Sequence, residues 1–430
     1  MFGRLKKDPT DLMDIPSGVL RGLSFKPPKE VDRPTYRVVG DIERVDERDT
    51  VHARMDIRSP GSPRYDEYYG VLHPELRLLD DETKAMAAKS AQRRQEKSPA
   101  ERVLAQLELA GFYGASALGL PDAVNTRFRI RQEAMGNYDV ADENNTITPV
   151  RMDPLEMALK VKALGLHLGA AKVRVTELKQ QWVYSRTMTP WGKPPDLNYK
   201  YLICMSVLQE PFLIGGGFQH SGHALEVGFK YAYASMLSIM VANFIKRLGW
   251  PARALPTFNS PYLVCPTFID AGVGEDGRCA MVVAKEIGNN WRPGAVATDI
   301  PLVIDKPVDF GLQDFCDKCK ICAEACPSGA IPKGGREKVR GIWKWQIDPV
   351  KCQQFWMKTG HNCAMCQKAC PWNHPSSPAH NLVREVAERY SRLRRGVVIL
   401  EDFFYGKTKK PGPDPKWLTE ELAKYVRKGR

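Results

Sequence analysis

Apolar and polar positions show little regular spacing over the first hundred residues. Stretches such as RSPGSPRYDEYYG and FKPPKEVDRPTY mix proline, glycine and charge, and read as extended connections over a surface. From about residue 150 the pattern sharpens. In DPLEMALKVKALGLHLGAAKV the apolar residues fall on one helix face, with Asp153 as N-cap and Pro154 at the first helical position. AAKVRVTEL and YKYLICMSVL read as strands. HALEVGFKYAYASMLSIMVANFIKRLGW reads as a long amphipathic helix that closes at Gly249 and Pro251. PYLVCPTFIDAGVGEDGRCAMVVAKEIG reads as two short strands around a glycine-rich turn. This mixture predicts an α/β or α+β core.

A chain of 430 residues has room for two or three domains. With 43% hydrophobic and 26% charged residues, it has the composition of a soluble globular protein. No apolar run reaches the roughly 18 residues that span a bilayer. The start, MFGRLKKDPTDLMD, shows neither an apolar leader core nor a twin arginine, so a cytoplasmic location is expected unless a leader has been removed. The net charge of +13 suits an acidic electron-donor protein or an anionic substrate. The basic residues are scattered and form no aromatic-interleaved motif, so no nucleic-acid partner is expected.

Eleven cysteines without a leader do not form a disulfide framework. Eight lie between Cys316 and Cys370. FCDKCKICAEACPSGAI spaces four as C-x2-C-x2-C-x3-C before a proline, and HNCAMCQKACPWNHP supplies three more before another. Cys352 stands eleven residues upstream of Cys363 and fills the gap. In paired ferredoxin motifs the fourth cysteine crosses to the other cluster. Cluster 1 then takes Cys316, Cys319, Cys322 and Cys370, and cluster 2 takes Cys326, Cys352, Cys363 and Cys366. Zinc also uses C-x2-C pairs, but two runs ending in Cys-Pro point to two [4Fe–4S] clusters. Cys204, Cys265 and Cys279 read as small buried apolar residues. Two clusters make a short wire, which needs a redox terminus elsewhere in the chain.

The segments KYAYASMLSIMVANFIKRLGWPARALPTFN, AGVGEDGR, NNWRPG and TDIPLVIDKPVDFGLQDFC precede the cluster motifs in this order. Together they resemble the corrinoid-dependent reductive dehalogenases over about residues 150–375. The resemblance implies a nitroreductase-like core that holds a base-off cobalamin, with a two-cluster ferredoxin-like module against it. It divides the chain into an N-terminal extension (1–150), a cobalamin-binding core (151–310), the cluster module (311–380) and a tail (381–430) that wraps the surface. The absence of a D-x-H-x-x-G segment agrees with cobalt that lacks a histidine on its lower face. The resemblance implies Tyr233 as proton donor, with Arg292 and Asn259 beside it. A free tyrosine titrates near 10, and a neighbouring arginine favours its phenolate. Asn259 would hydrogen-bond the phenol oxygen or the departing halide. Trp356 and Tyr184 are candidate substrate-pocket residues, and Gly215, Gly216 and Gly217 a candidate close approach to the corrinoid.

The implied activity is reductive cleavage of a carbon–halogen bond in a small organohalide. The electrons would come from an external donor such as a ferredoxin or flavodoxin. Two other readings stay open here. Epoxyqueuosine reductases join a corrinoid core to two clusters and share the CPWN that stands at Cys370–Asn373, although a G-W-x-G-K segment is missing. The other is a non-catalytic two-cluster electron-transfer subunit.

Overall fold

A computed structural model describes residues 27–57, 61–96, 148–188, 191–219, 221–256, 260–360, 362–406 and 409–412. Asn259 lies outside them.

The core is built on a four-stranded antiparallel sheet with the spatial order Lys172–Glu177, Tyr201–Leu208, Trp291–Thr298, Ala252–Leu255. Side chains alternate across it. Ile203, Met205, Val207 and Val296 face the helices Pro154–His167 and Ser221–Arg247, where they meet Val161, Leu237 and Val241. Leu202, Cys204, Ala295 and Ala297 face the other way, onto Tyr262, Phe268 and Ile269. Both faces are covered, so the strands are nearly continuous apolar runs. The Asp153 carboxylate caps its helix by accepting from Leu155 N and Glu156 N. The long helix runs to Arg247, and Gly249 takes a φ of +79° just beyond it.

Three sequence expectations are corrected. VCPTFID is a helix, Val264–Asp270, and only Glu275–Asp276 and Val282–Val283 pair as strands around the turn. In RSPGSPRYDEYYG, the described part from residue 61 on is not an extended surface connection. Ser62 caps a helical turn, and Tyr65, Tyr68 and Tyr69 bury their rings in a small core with Ile57. Tyr69 donates to Asp80 at 2.9 Å, and Asp80 pairs with buried Arg54 at 3.3 Å. The start of the tail is helical, Pro378–Arg389 and Arg394–Tyr405, and packs under the first cysteine motif through Ala387 and Val397.

The cysteine module is joined to the core by buried charge. Lys285, fully buried, meets Glu385 at 2.9 Å and Glu388 at 2.6 Å on the helix Pro378–Arg389. Glu275 accepts from Phe310 N (2.8 Å) and Leu312 N (3.2 Å), where the chain enters the first cysteine helix, Leu312–Cys319.

Burial pushes the Glu275 carboxyl up from 4.5 to about 7, against the lowering effect of those two backbone bonds. A carboxyl raised on folding contributes stability below about pH 4.5 that is lost as pH rises through about 7. Glu275→Gln keeps the acceptor and removes the titration. Its advantage over the parent in thermal unfolding is expected to grow from pH 5 to 7 and then level off. An advantage that is flat across this range would contradict the assignment.

Candidate active site

The eight cysteines fall into two sets. Burial raises the Cys316 thiol, with Cys319 as the next contributor, and raises Cys370, with Cys316 and Cys319 among its contributors. Cys322 is raised first by a hydrogen bond with Cys279, then by burial, then by Cys316 and Cys370 among others. In the other set, burial pushes Cys352 up to about 11 with Cys326 beside it, and Cys363 to about 12 with Cys352 and Cys326 beside it. Cys366 is raised by burial and then by thiols that include all three of these. Electrostatic neighbourhood thus groups Cys316, Cys319, Cys322 and Cys370 apart from Cys326, Cys352, Cys363 and Cys366. Among the described residues, no three His, Cys, Asp or Glu side chains converge as a single metal ion requires. The first set instead surrounds a small cavity that Arg278, Cys279, Phe315 and Trp372 help to line.

The backbone is shaped for thiolates. In two of the three C-x2-C steps, Cys319–Cys322 and Cys363–Cys366, the residue after the first cysteine takes a left-handed conformation, φ 56° at Lys320 and 49° at Ala364. The turn aims Ile321 N at Cys319 Sγ and Met365 N at Cys363 Sγ. Such nests stabilise anionic sulfur. Cys326, in contrast, is held below the ordinary thiol range. Burial acts on it too, but the Ser328 hydroxyl at 3.3 Å and backbone N–H groups from Ser328, Ala330 and Ile331 outweigh it. The donor set therefore fits two thiolate-ligated clusters. The symmetry of the two loops was not legible from spacing, because neither Lys320 nor Ala364 is a residue type that announces positive φ.

A buried amide network holds this module to the core. Asn289 N donates to Asn373 Oδ1 at 2.8 Å, and Asn373 Nδ2 donates back to Asn289 Oδ1 at 2.5 Å. Gln367 Nε2 donates to Asn289 O at 2.8 Å and to Gln209 Oε1 at 3.3 Å. Asn289 Nδ2 also reaches Cys279 Sγ at 3.4 Å. Of the three cysteines outside the motifs, Cys279 thus stands between the two sets, Cys204 is buried in the core and Cys265 packs against that core. Gly288 has a φ of +60°, and a Cβ there would fall 1.8 Å from Asn373 Oδ1, so only glycine admits the contact. The run Gly215–Gly217 is used in the same way. A Cβ on Gly217 would stand 3.0 Å from Met365 Sδ, and Gly215 O accepts from Lys368 Nζ at 2.7 Å. These glycines lie against the second cysteine motif.

At the edge of this network the sheet ends in Arg292, whose guanidinium lies over the ring of Tyr231, 4.9 Å from its centroid. The sequence pointed to Tyr233 instead. Two residues on a helix are about 200° apart, so the two tyrosines leave the long helix on different faces. Tyr233 follows the outward stripe of Phe229, Met236 and Met240, all exposed, and its ring stacks on Phe229. Its hydroxyl donates to Leu168 O at 2.6 Å. The residue that the structure brings to Arg292 is Tyr231, which sequence reasoning passed over; KYAY offers two tyrosines and nothing in the spacing separates them. Trp356 sits on Pro349–Thr359, the helix of Cys352, 5.9 Å from the His52 ring. The helix Arg77–Gln95 braces it, with Thr83 accepting from Gln354 Nε2 at 3.1 Å and Arg93 Nη2 donating to Lys358 O at 2.9 Å. Tyr184 is joined to Pro261 O through its backbone N–H at 3.0 Å, and its hydroxyl is raised by burial and then by Glu47.

Several buried polar atoms here have no hydrogen-bond partner: Gln209 Nε2, Asn290 Oδ1, Arg292 Nε, Trp356 Nε1 and Asn362 Oδ1. They come from both sides of the seam between the sheet end and the second cysteine set. Buried polar atoms are seldom left unpaired. A large cofactor whose edge carries amide donors and acceptors would satisfy them, so the residues present fit a corrinoid. A separate cavity of about 700 Å³, lined by Lys29, Glu275, Asp314, Glu388 and Arg394 among others, contains none of these groups.

Residues 315–374 match the 4Fe-4S dicluster domain family. The tetrachloroethene reductive dehalogenase of Dehalobacter restrictus is 34% identical over 325 residues, covering 62% of this chain and 57% of that protein. The epoxyqueuosine reductase of Escherichia coli is 26% identical over 260 residues, covering 52% of this chain and 67% of that protein. Among solved structures, the catabolic reductive dehalogenase NpRdhA superposes with a TM-score of 0.67 at 24% identity, covering 88% of this chain and 49% of that one. The chain spans about half the length of the curated dehalogenases it matches. It is a relative of the reductive dehalogenases, with their fold and a dicluster module at its C-terminal end.

Cys319→Ala is expected to halve the iron bound per chain, from about eight to about four, whereas Cys279→Ala leaves it unchanged. Iron analysis after anaerobic reconstitution checks both, and normal iron in Cys319→Ala would refute the ligand sets.

Proposed function

We propose that this relative of the reductive dehalogenases is itself one, and that it replaces halogen by hydrogen on a small organohalide. The net reaction consumes two electrons and one proton and releases halide. The observation that carries the reading is the seam itself. Arg292 over Tyr231 stands at the sheet end (4.9 Å), where Gln209 is bonded to Gln367 of the second cysteine motif (3.3 Å). A proton-bearing side chain and a cluster motif thus serve one place.

Gln209, Asn290, Trp356 and Asn362 would hold the edge of a base-off corrinoid through their unpaired atoms. A corrinoid bound there supplies a low-potential cobalt centre for carbon–halogen reduction. The chain's own residues do the remaining work. The Tyr231 hydroxyl gives a proton to the carbon that has lost halide. The Arg292 guanidinium, fixed by its Nη1 bond to Trp291 O at 3.1 Å, lies against the phenolate left behind. Asn259, placed by its sequence position alone, hydrogen-bonds the phenol oxygen or the halide. Trp356 and Tyr184 bound an apolar pocket that keeps water from the reduced carbon. The clusters draw their electrons from an external protein such as a ferredoxin or flavodoxin, for which a net charge of +13 is favourable when that donor is acidic. Among the described residues no helix is long and apolar enough to cross a membrane.

The CPWN shared with epoxyqueuosine reductases does not by itself favour their substrate. Asn373 is consumed in locking the module to Asn289, and Trp372 packs on Phe310 and Phe315. The motif therefore reports a common module.

The two tyrosines separate the roles. Tyr231→Phe is expected to lower halide release by about 10²-fold or more, with iron and cobalt content unchanged. Tyr233→Phe loses one hydrogen bond to Leu168 and retains turnover within a few-fold. Halide assays on the reconstituted variants decide this, and the reverse pattern would return the proton to Tyr233.

A further inference from the structure

Buried cations in this chain are as a rule neutralised by carboxylates. Lys162 meets Asp305 at 2.6 Å, Lys172 meets Glu286 at 2.8 Å, and Lys285 meets two glutamates. Arg278 departs from the rule. It is 2% exposed. Its Nε and Nη2 donate to Cys316 O, both at 3.0 Å, and its Nη1 donates to Pro332 O at 2.9 Å and Gly334 O at 2.7 Å. The guanidinium stacks on the buried ring of Trp345, 4.7 Å from its centroid. These hydrogen-bond partners are all neutral backbone carbonyls, and no ion pair of Arg278 with a carboxylate is seen among the described residues. Arg384 is similar, 3% exposed and bonded to Asn381 Oδ1 and to the carbonyls of Trp372 and His374.

A buried charge surrounded only by dipoles is costly unless an opposite charge stands near. Both arginines bond the first cysteine motif or the residues just after Cys370, and Arg278 lines the cavity that the first set encloses. An anion in that cavity would balance them. Four thiolates around an oxidised [4Fe–4S] core carry a net charge of −2, and −3 after one electron is added. Beside the second set, among the described residues, Lys351 is paired with Asp348 at 3.0 Å and Lys368 turns its Nζ to Gly215 O at 2.7 Å.

We propose that Arg278 is the fixed counter-charge of the first cluster and raises its reduction potential above that of the second. A positive charge stabilises the more negative, reduced cluster, and net local charge is one of the determinants of cluster potential. Arginine keeps its proton in proteins, so the bias does not depend on pH. The first cluster then takes its electron before the second does when an external one-electron donor reduces the protein. The inference rests on the dicluster module and not on the choice of organic substrate.

The test is a reductive titration of the reconstituted holoprotein with dithionite, without substrate, followed by electron paramagnetic resonance. In the parent, the signal that appears first should be the one missing from Cys319→Ala. In Arg278→Gln that signal should move to lower potential while the other stays in place, and Arg278→Lys should restore it. A residue that only packs would leave both potentials unmoved, and that result overturns the proposal. It is also overturned if the first signal of the parent survives in Cys319→Ala, a comparison that holds even if Arg278→Gln does not fold. Halide release does not enter either readout, so its absence would count against the dehalogenase reading alone.

Discussion

The cysteine module and the core sheet are held in one fixed register. The Asn289–Asn373 pair supplies that constraint: two amide groups, both buried, each bonded to the other's residue, with Gln367 tying them on to Gln209. In a dry interior such amides tolerate no looseness, because every broken bond leaves an unsatisfied group. The glycines at 288 and 217 are the steric counterpart of this bond set. A Cβ on Gly288 would collide with Asn373 Oδ1 and Trp372 O, and one on Gly217 would press on the Met365 side chain. The N-terminal helices complete the clamp by bracing the helix that carries both Cys352 and Trp356.

Charge obeys the same economy. The chain places lysines and arginines inside and gives nearly all of them a carboxylate. Asp305 serves Lys162 and Arg174, and Glu385 and Glu388 serve Lys285. Around the cysteines the pattern changes to backbone N–H groups and carbonyl-bound guanidinium groups. This is the environment of a site that expects negative charge from a ligand and not from the chain.

Much of this was legible in the sequence, and the failures have physical causes. The cysteine grouping was read from the paired-ferredoxin pattern, in which the fourth cysteine crosses to the other cluster. The capped helix at Asp153 and the strands 172–177 and 201–208 follow from local pattern. The strand Trp291–Thr298 was missed because WRPGAVAT holds a proline and a glycine. Among the described residues, the neighbouring strand 252–255 pairs with residues 295–298, and Pro293 stands opposite Ser206 of the strand on its other side. Gly294 is required because a Cβ would fall 2.6 Å from Ala234 O of the long helix. Tyr231 was passed over because helix phase, and not residue type, decides which tyrosine meets Arg292. The tyrosine-rich segment 65–69 was misread because its core is satellite to the main one and too short to show a period.

The joining of two clusters to a cobalt-bearing site at the seam is the proposal on which the roles of these residues rest. It is tested most directly by anaerobic reconstitution with iron, sulfide and hydroxocobalamin, followed by desalting and metal analysis. About eight irons and one retained cobalt per chain are expected. Eight irons with no cobalt would leave a two-cluster electron carrier, and the role given to Tyr231 and Arg292 would fall.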